Sequence, residues 1–252
     1  MKLKRILITS LSQLNPEPFR IIGYDPIRAS TIRIEPDNAV IDGLRRSILE
    51  GRFDSAAFMS PRSMGLISPD DRLVASLSSM KVYAVGPSTK RSLEMLGIPV
   101  TGTPDEYTGR ALAELIANAH SKSPFKRLAL IRSSLADDSL ADWLRSKHMP
   151  VDEFRVYRTV ADQEGILAFM AALGRGVDIA VFTSRSSSSL MLEYLRSQGM
   201  DSLLISALRK SRVIAFGPEA AAGLRSAGIE PEILSVHSLD GLISHLKVIG
   251  YE

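Results

Sequence analysis

The chain has 252 residues, 45% hydrophobic and 23% charged, with a formal net charge of +3 and no cysteine. That length exceeds one ordinary small domain and suits two, and the composition is that of a globular protein. The missing cysteine excludes a disulfide framework, a thiolate nucleophile and a Cys-ligated metal or cluster, and it favours a cytoplasmic protein. The positive excess is diffuse, and aromatics are only 6% with no basic–aromatic interleaving, so nucleic acid is not an expected partner. No apolar stretch approaches the roughly 20 residues of a membrane span.

In chain order, the basic start MKLKR runs into a short apolar stretch, too brief for a signal-peptide core, and 5–9 reads as a buried strand. An extended, β-propensive segment at 26–36 breaks the rhythm that follows. Strands are expected at 55–59 and 82–85, each ending in a polar loop: Ser60, Pro61, Arg62 and Ser63 after the first, Gly86, Pro87, Ser88 and Thr89 after the second. Gly97 stops a helix in the left-handed conformation. Leu112, Leu115, Ile116 and Ala119 form one apolar helix face, then a strand at 127–131 leads into Arg132. Leu140, Trp143, Leu144 and Lys147 form another helix face, after Asp137 and Asp138, which suit a helix N-terminus.

A second extended segment, 153–160, precedes a strand at 179–183 that ends in Thr183, with Ser184, Arg185, Ser186 and Ser187 beyond it. Leu190, Met191, Tyr194 and Leu195 make a helix stripe. A strand at 213–216 runs into Gly217, Pro218, Glu219 and Ala220, and Gly228 is a second helix stop. Apolar strands alternating with amphipathic helices indicate parallel α/β units.

The chain repeats itself. FDSAAFMSPRSM (53–64) and VDIAVFTSRSSS (177–188) share 5 of 12 positions, and 81–100 shares 7 of 20 with 212–231. Chance gives about one identity in either window, so two similar α/β domains with a ligand between them are expected. The segments 31–36 and 154–160 read as paired linkers. One domain is then discontinuous, 1–30 plus 161–252, and the other, 37–153, is inserted into it. Two sequential domains split near 125 are the simpler alternative, but they leave both linkers unexplained.

Ligands of open α/β sheets bind where strands end, and helix starts there offer free N–H groups and a positive dipole end to anions. Singly, such loops are as readily explained as helix caps; four of them, duplicated, point to a shared binding cleft. Arg62, Arg132 and Arg185 are candidates for carboxylate pairing. Tyr157 stands in the second linker, where strict alternation places it with Arg155 and Thr159, opposite Phe154 and Val156. A phenol there can donate a proton. No dinucleotide or P-loop fingerprint occurs, the four histidines are scattered, and no set has metal-ligand spacing.

These residues resemble the uroporphyrinogen-III synthase family. The likeness rests on FMSPRSM and FTSRSSS, on AVGPSTKRSLEMLG and AFGPEAAAGLRSAG, on VYRT in the second linker, and on Asp105 to Thr108 and His237 to Leu242. It covers nearly the whole chain in order. It implies two flavodoxin-like domains with parallel sheets joined by a two-stranded linker, with the active site between them. It implies a cofactor-independent lyase that cyclises hydroxymethylbilane, a linear tetrapyrrole with eight carboxylates, to uroporphyrinogen III with inversion of ring D; a monomer is expected. Tyr157 matches the family's linker tyrosine and becomes the candidate acid. Ser60, Gly86, Thr89, Ser184 and Gly217 match binding-loop positions, and the neighbours Pro61, Arg62, Ser88, Arg132, Thr183, Arg185, Ser186, Pro218 and Glu219 complete the expected substrate contacts. One departure stands out: Glu219 and Ala220 follow Gly217–Pro218 where the family usually has threonine. The rival readings are a non-catalytic α/β module binding an anionic ligand, and an enzyme acting on a phosphorylated small molecule.

Overall fold

The computed structural model describes residues 3–136 and 139–250. The elements run β1 (Lys4–Thr9), α1 (Glu17–Ile21), β2 (Tyr24–Ala29), β3 (Ile32–Pro36), α2 (Asn38–Leu49), β4 (Ser55–Phe58), α3 (Arg62–Ile67), α4 (Asp71–Ser78), β5 (Lys81–Ala84) and α5 (Pro87–Glu94). They continue with α6 (Gly109–Lys122), β6 (Leu128–Ser133), α7 (Ser139–Ser146), β7 (Val151–Ala161), α8 (Gln163–Gly174), β8 (Ile179–Phe182), α9 (Arg185–Ser197), α10 (Asp201–Leu208), β9 (Arg212–Ala215), α11 (Pro218–Arg225), β10 (Glu232–Ile233) and α12 (Leu239–Ile249). Asp137 and Asp138, expected to begin a helix, lie outside the described residues.

The contacts divide the chain into two compact units: unit 1 comprises residues 1–33 and 160–252, and unit 2 comprises 34–159. Each carries a five-stranded sheet, ordered β10-β9-β8-β1-β2 in unit 1 and β3-β7-β6-β4-β5 along unit 2. In unit 1, β1 pairs in parallel with both β2 and β8, Ile6 lying opposite Pro26 on one side and Ile179 on the other. The two sheets share one plan. β8 and β9 of unit 1 stand as β4 and β5 do in unit 2, and where β10 flanks β9, Gly102 makes a parallel bridge to Tyr83 of β5.

Both sheets are covered on both faces, because alternate residues of the central strands feed different cores. In β1, Ile6 and Ile8 pack with Phe19, Leu242 and Leu246, while Leu7 packs on the other face with Ile166, Phe169 and Leu195. In unit 2, Ala56, Phe58 and Ile131 face Leu44, Leu73 and Leu93, and Ala57, Leu128 and Leu130 face Leu112, Ile116 and Leu144. Buried area of this kind contributes about 25 cal/mol per Å² and is the main stabilising term of each unit.

The extended segment 26–36 divides between the sheets. Tyr24–Ala29 is an edge strand of unit 1, and Ile32–Pro36 is the sheet neighbour of β7. Pro26 is tolerated because an edge strand leaves one row of N–H groups unused. In β7 the expected alternation fails. Arg132 lies opposite Arg155, but Ser133 lies opposite Tyr157, so the register slips by one residue. Such a bulge turns consecutive side chains to the same side, and Val156 and Tyr157 accordingly belong to one core cluster, with Phe154 packed against it.

Candidate functional site

In unit 2, β4 ends at Phe58, and Ser60 Oγ accepts the Arg62 N–H at 3.2 Å, forming the turn that starts α3. Pro61 and Arg62 are exposed at its tip, and the Arg62 guanidinium makes no ion pair among the described residues. Next to it, β5 runs into Gly86, whose carbonyl accepts the Lys90 N–H at 3.0 Å as α5 begins with Pro87. Ser88 is exposed, but Thr89 is 1% exposed and its Oγ1 has no hydrogen-bond partner among the described residues.

Arg132 ends β6 and is 2% exposed. Its Nε lies 3.3 Å from Glu153 Oε1, and Arg155 Nε approaches the same oxygen at 3.2 Å. Arg132 also lines a concavity of about 260 Å³ with Met59, Gly109, Leu140 and Trp143. Arg155 borders a second concavity, of about 500 Å³, with Tyr157, Ser134, Asp37 and Arg158. Tyr157 is 5% exposed, and its backbone carbonyl accepts the Ser134 N–H at 2.8 Å. The bulge therefore sets Tyr157 at the wall of a polar concavity that Arg155 and Arg158 also line. Tyr24 and Tyr83 lie deeper, and burial pushes both of their phenols up.

Unit 1 builds the same loops with more internal bonding. Ser184 Oγ accepts the Ser187 N–H at 3.2 Å, and Ser187 Oγ accepts the Ser184 N–H at 3.2 Å, a reciprocal cap at the start of α9. Thr9 Oγ1 reaches Ser187 Oγ at 3.2 Å and accepts the Thr183 N–H at 3.1 Å, while Thr31 Oγ1 donates to the Ser187 carbonyl at 2.9 Å. Thr183, part of this network, and Ser186 are half-buried, and Arg185 is exposed. Gly217 and Pro218 open α11, as Gly86 and Pro87 open α5. Glu219 does not stand alone: its Oε2 lies 3.2 Å from Arg185 Nη1, joining the two loops. Ala220, 2% exposed, sits where Thr89 sits in unit 2. Among the described residues no cluster of three or more His, Cys, Asp or Glu is arranged to hold a metal ion, and no helix is long and apolar enough to cross a membrane.

Two doubly wound α/β units, each with two polar loops where adjacent parallel strands end, define a duplicated protein of the ligand-handling kind. The family model described as uroporphyrinogen-III synthase HemD matches residues 16–244, and the chain belongs to that family. The porphyrin biosynthesis protein HemD of Ruminiclostridium josui is 22% identical over 175 residues, which are 69% of this chain and 33% of that protein, so the match spans about a third of the relative's length. Two crystal structures share the fold. The uroporphyrinogen III synthase of Thermus thermophilus, a mutant form, is 20% identical with a TM-score of 0.66, covering 98% of both chains. The uroporphyrinogen-III synthetase of Helicobacter pylori is 16% identical with a TM-score of 0.66, covering 98% of this chain and 100% of that one. The family is one of lyases acting in porphyrin biosynthesis.

Proposed function

We propose that this chain is itself a working uroporphyrinogen-III synthase, a lyase that takes hydroxymethylbilane to uroporphyrinogen III and water. The observation that carries this reading is the family match over 16–244 on a chain that keeps both copies of the strand-end loops. The substrate is a polyanion. The positive dipole ends at the starts of α5, α9 and α11, with Arg62 and Arg185, suit its carboxylates. Tyr157 is the proposed acid. Its phenol protonates the departing hydroxyl of the ring A hydroxymethyl group, so that water leaves and an azafulvenium cation remains, and the phenolate regains its proton when the last ring to close becomes aromatic again. Ring D then attacks through its substituted carbon, and the spiro intermediate fragments and recloses with that ring inverted. The remaining task of the protein is to hold a reactive intermediate in one shape. A monomer in the cytoplasm, without cofactor, fits this chemistry.

The rival reading of a non-catalytic module drew on Glu219, and the ion pair with Arg185 engages that carboxylate. The deciding experiment supplies freshly generated hydroxymethylbilane, oxidises the products and separates the uroporphyrin isomers. Excess type III is expected, and type I alone, the spontaneous product, overturns the assignment. In the same assay Tyr157→Phe is expected to lower turnover by about 10-fold or more with the fold retained, as loss of a general acid does; unchanged turnover removes Tyr157 from the mechanism.

A further inference from the structure

One pair of residues outside the expected site repeats between the units with unusual fidelity. In unit 2, Tyr107 is the centre of a tight turn in which the Thr108 N–H donates to the Glu106 carbonyl at 2.8 Å. In unit 1, His237 is the centre of the same turn, the Ser238 N–H donating to the Val236 carbonyl at 2.9 Å. Each turn ends in a helix cap: Thr108 Oγ1 accepts the Ala111 N–H at 3.2 Å, and Ser238 Oγ accepts the Gly241 N–H at 3.1 Å.

Each ring-bearing residue also lies against the glycine of the neighbouring Gly–Pro turn. A Cβ on Gly86 would stand 3.3 Å from Tyr107 Cβ and Cγ, and one on Gly217 would stand 3.0 Å from His237 Nδ1 and 3.1 Å from Cε1. Both glycines are extended, with φ of −170° and −165°, a conformation open to any residue. Backbone freedom therefore does not account for glycine here; the room taken by the ring does. Yet neither ring is buried by this contact, for Tyr107 is 63% exposed and His237 is exposed as well. Both units thus hold a flat ring on a backbone fixed by a turn and a cap, open to solvent beside the loops proposed to bind carboxylates.

We propose that Tyr107 and His237 are ring-binding residues, one per unit, against which pyrrole rings of the linear tetrapyrrole stack while the adjacent loops hold its carboxylates. The proposal rests on the function proposed above. Offset stacking suits an aromatic ligand, and a ring carried on a backbone already held by a turn and a cap spares the ordering of that segment when the ligand arrives.

The test is steady-state kinetics with hydroxymethylbilane on Tyr107→Ala, His237→Ala, Tyr107→Phe and His237→Phe, with product isomers separated. Each alanine variant is expected to raise KM about 5- to 10-fold with kcat nearly unchanged, and each phenylalanine variant to restore KM to within about 2-fold. Should the wild type produce type III isomer while the alanine variants keep its KM, the stacking proposal falls and the function stands. Failure of phenylalanine to restore KM also overturns it, because the ring is then not what the substrate meets. A wild type that yields only type I removes both. The wild-type protein offers an independent readout: adding uroporphyrinogen III is expected to shift the His237 Cε1 proton by ring current, and no shift at saturation counts against stacking.

Discussion

The two copies of the strand-end loops differ in how much of their polarity is used internally. In unit 1 the hydroxyls of Thr9, Thr31, Thr183, Ser184 and Ser187 bond to one another or to backbone, and Arg185 is tied to Glu219. In unit 2 the corresponding Ser63 and Thr89 are buried, their hydroxyls have no partner among the described residues, and Arg62 makes no ion pair there. Unit 1 is thus a cross-linked, nearly charge-balanced loop pair, whereas unit 2 keeps an uncompensated cation and two unpaired buried hydroxyls. The departure from the family at Ala220 takes on a different meaning in this light. Its counterpart Thr89 holds its hydroxyl inside the protein, so the alanine removes an internal hydroxyl rather than one at the loop surface. A buried unpaired hydroxyl costs about 1–3 kcal/mol, and the Ala220 carbonyl instead accepts the Ser188 hydroxyl at 3.1 Å.

The largest expected break in this comparison is Gly241→Ala. Its Cβ would meet the Val236 carbonyl oxygen at 2.1 Å, a backbone atom already held by the His237 turn. Forcing the turn open is expected to cost about 3 kcal/mol, visible as a lower denaturation midpoint; Ala111, the residue in the same cap position of α6, shows that only unit 1 has this tightness. Next in size is the pair Ser187→Ala and Ser63→Ala. The first removes a cap and a buried network and is expected to cost about 1–3 kcal/mol. The second removes a hydroxyl that bonds to nothing among the described residues and is expected to be neutral or slightly stabilising. Equal losses in urea titrations of the two variants would erase the distinction drawn between the units. The smallest effect belongs to Glu219→Gln, which frees Arg185. The exposed pair contributes less than about 1 kcal/mol to stability, so the midpoint should hardly move, while KM for the anionic substrate is expected to fall about 3-fold.

The central strands and the duplicated loops are legible in the sequence because burial on both faces leaves continuous apolar runs, such as Ile6 to Ile8 and Ile179 to Phe182. The bounds of β2 are not, because Pro26 interrupts the run and leaves 26–36 reading as one extended segment rather than as an edge strand of one sheet followed by β3 of the other. The setting of Tyr157 differs from the expected one for a similar reason: alternation holds only in a regular ladder, and the slip beside Ser133 turns Tyr157 to the side of Val156. The rings of Tyr107 and His237 do not stand out in the sequence because their evidence is a contact between segments about twenty residues apart in each unit. The available signal is a glycine before proline in each half, followed at similar distance by a ring residue and a hydroxyl cap.

The pairing of β1 has a consequence for how the chain is made. β1 lies between β2 and β8, and Ile6 finds Ile179 only after the whole of unit 2 has been synthesised. At about 5–20 residues per second, that interval is roughly ten to thirty seconds. During it the apolar face of the β1–β2 pair is without its cover, while unit 2, with all its strands consecutive, can close its own core. Nascent chains arrested before β8 should therefore be protease-resistant across 34–159 and cut readily within 1–33. The inserted unit matures first, and the unit that carries both ends of the described chain matures last.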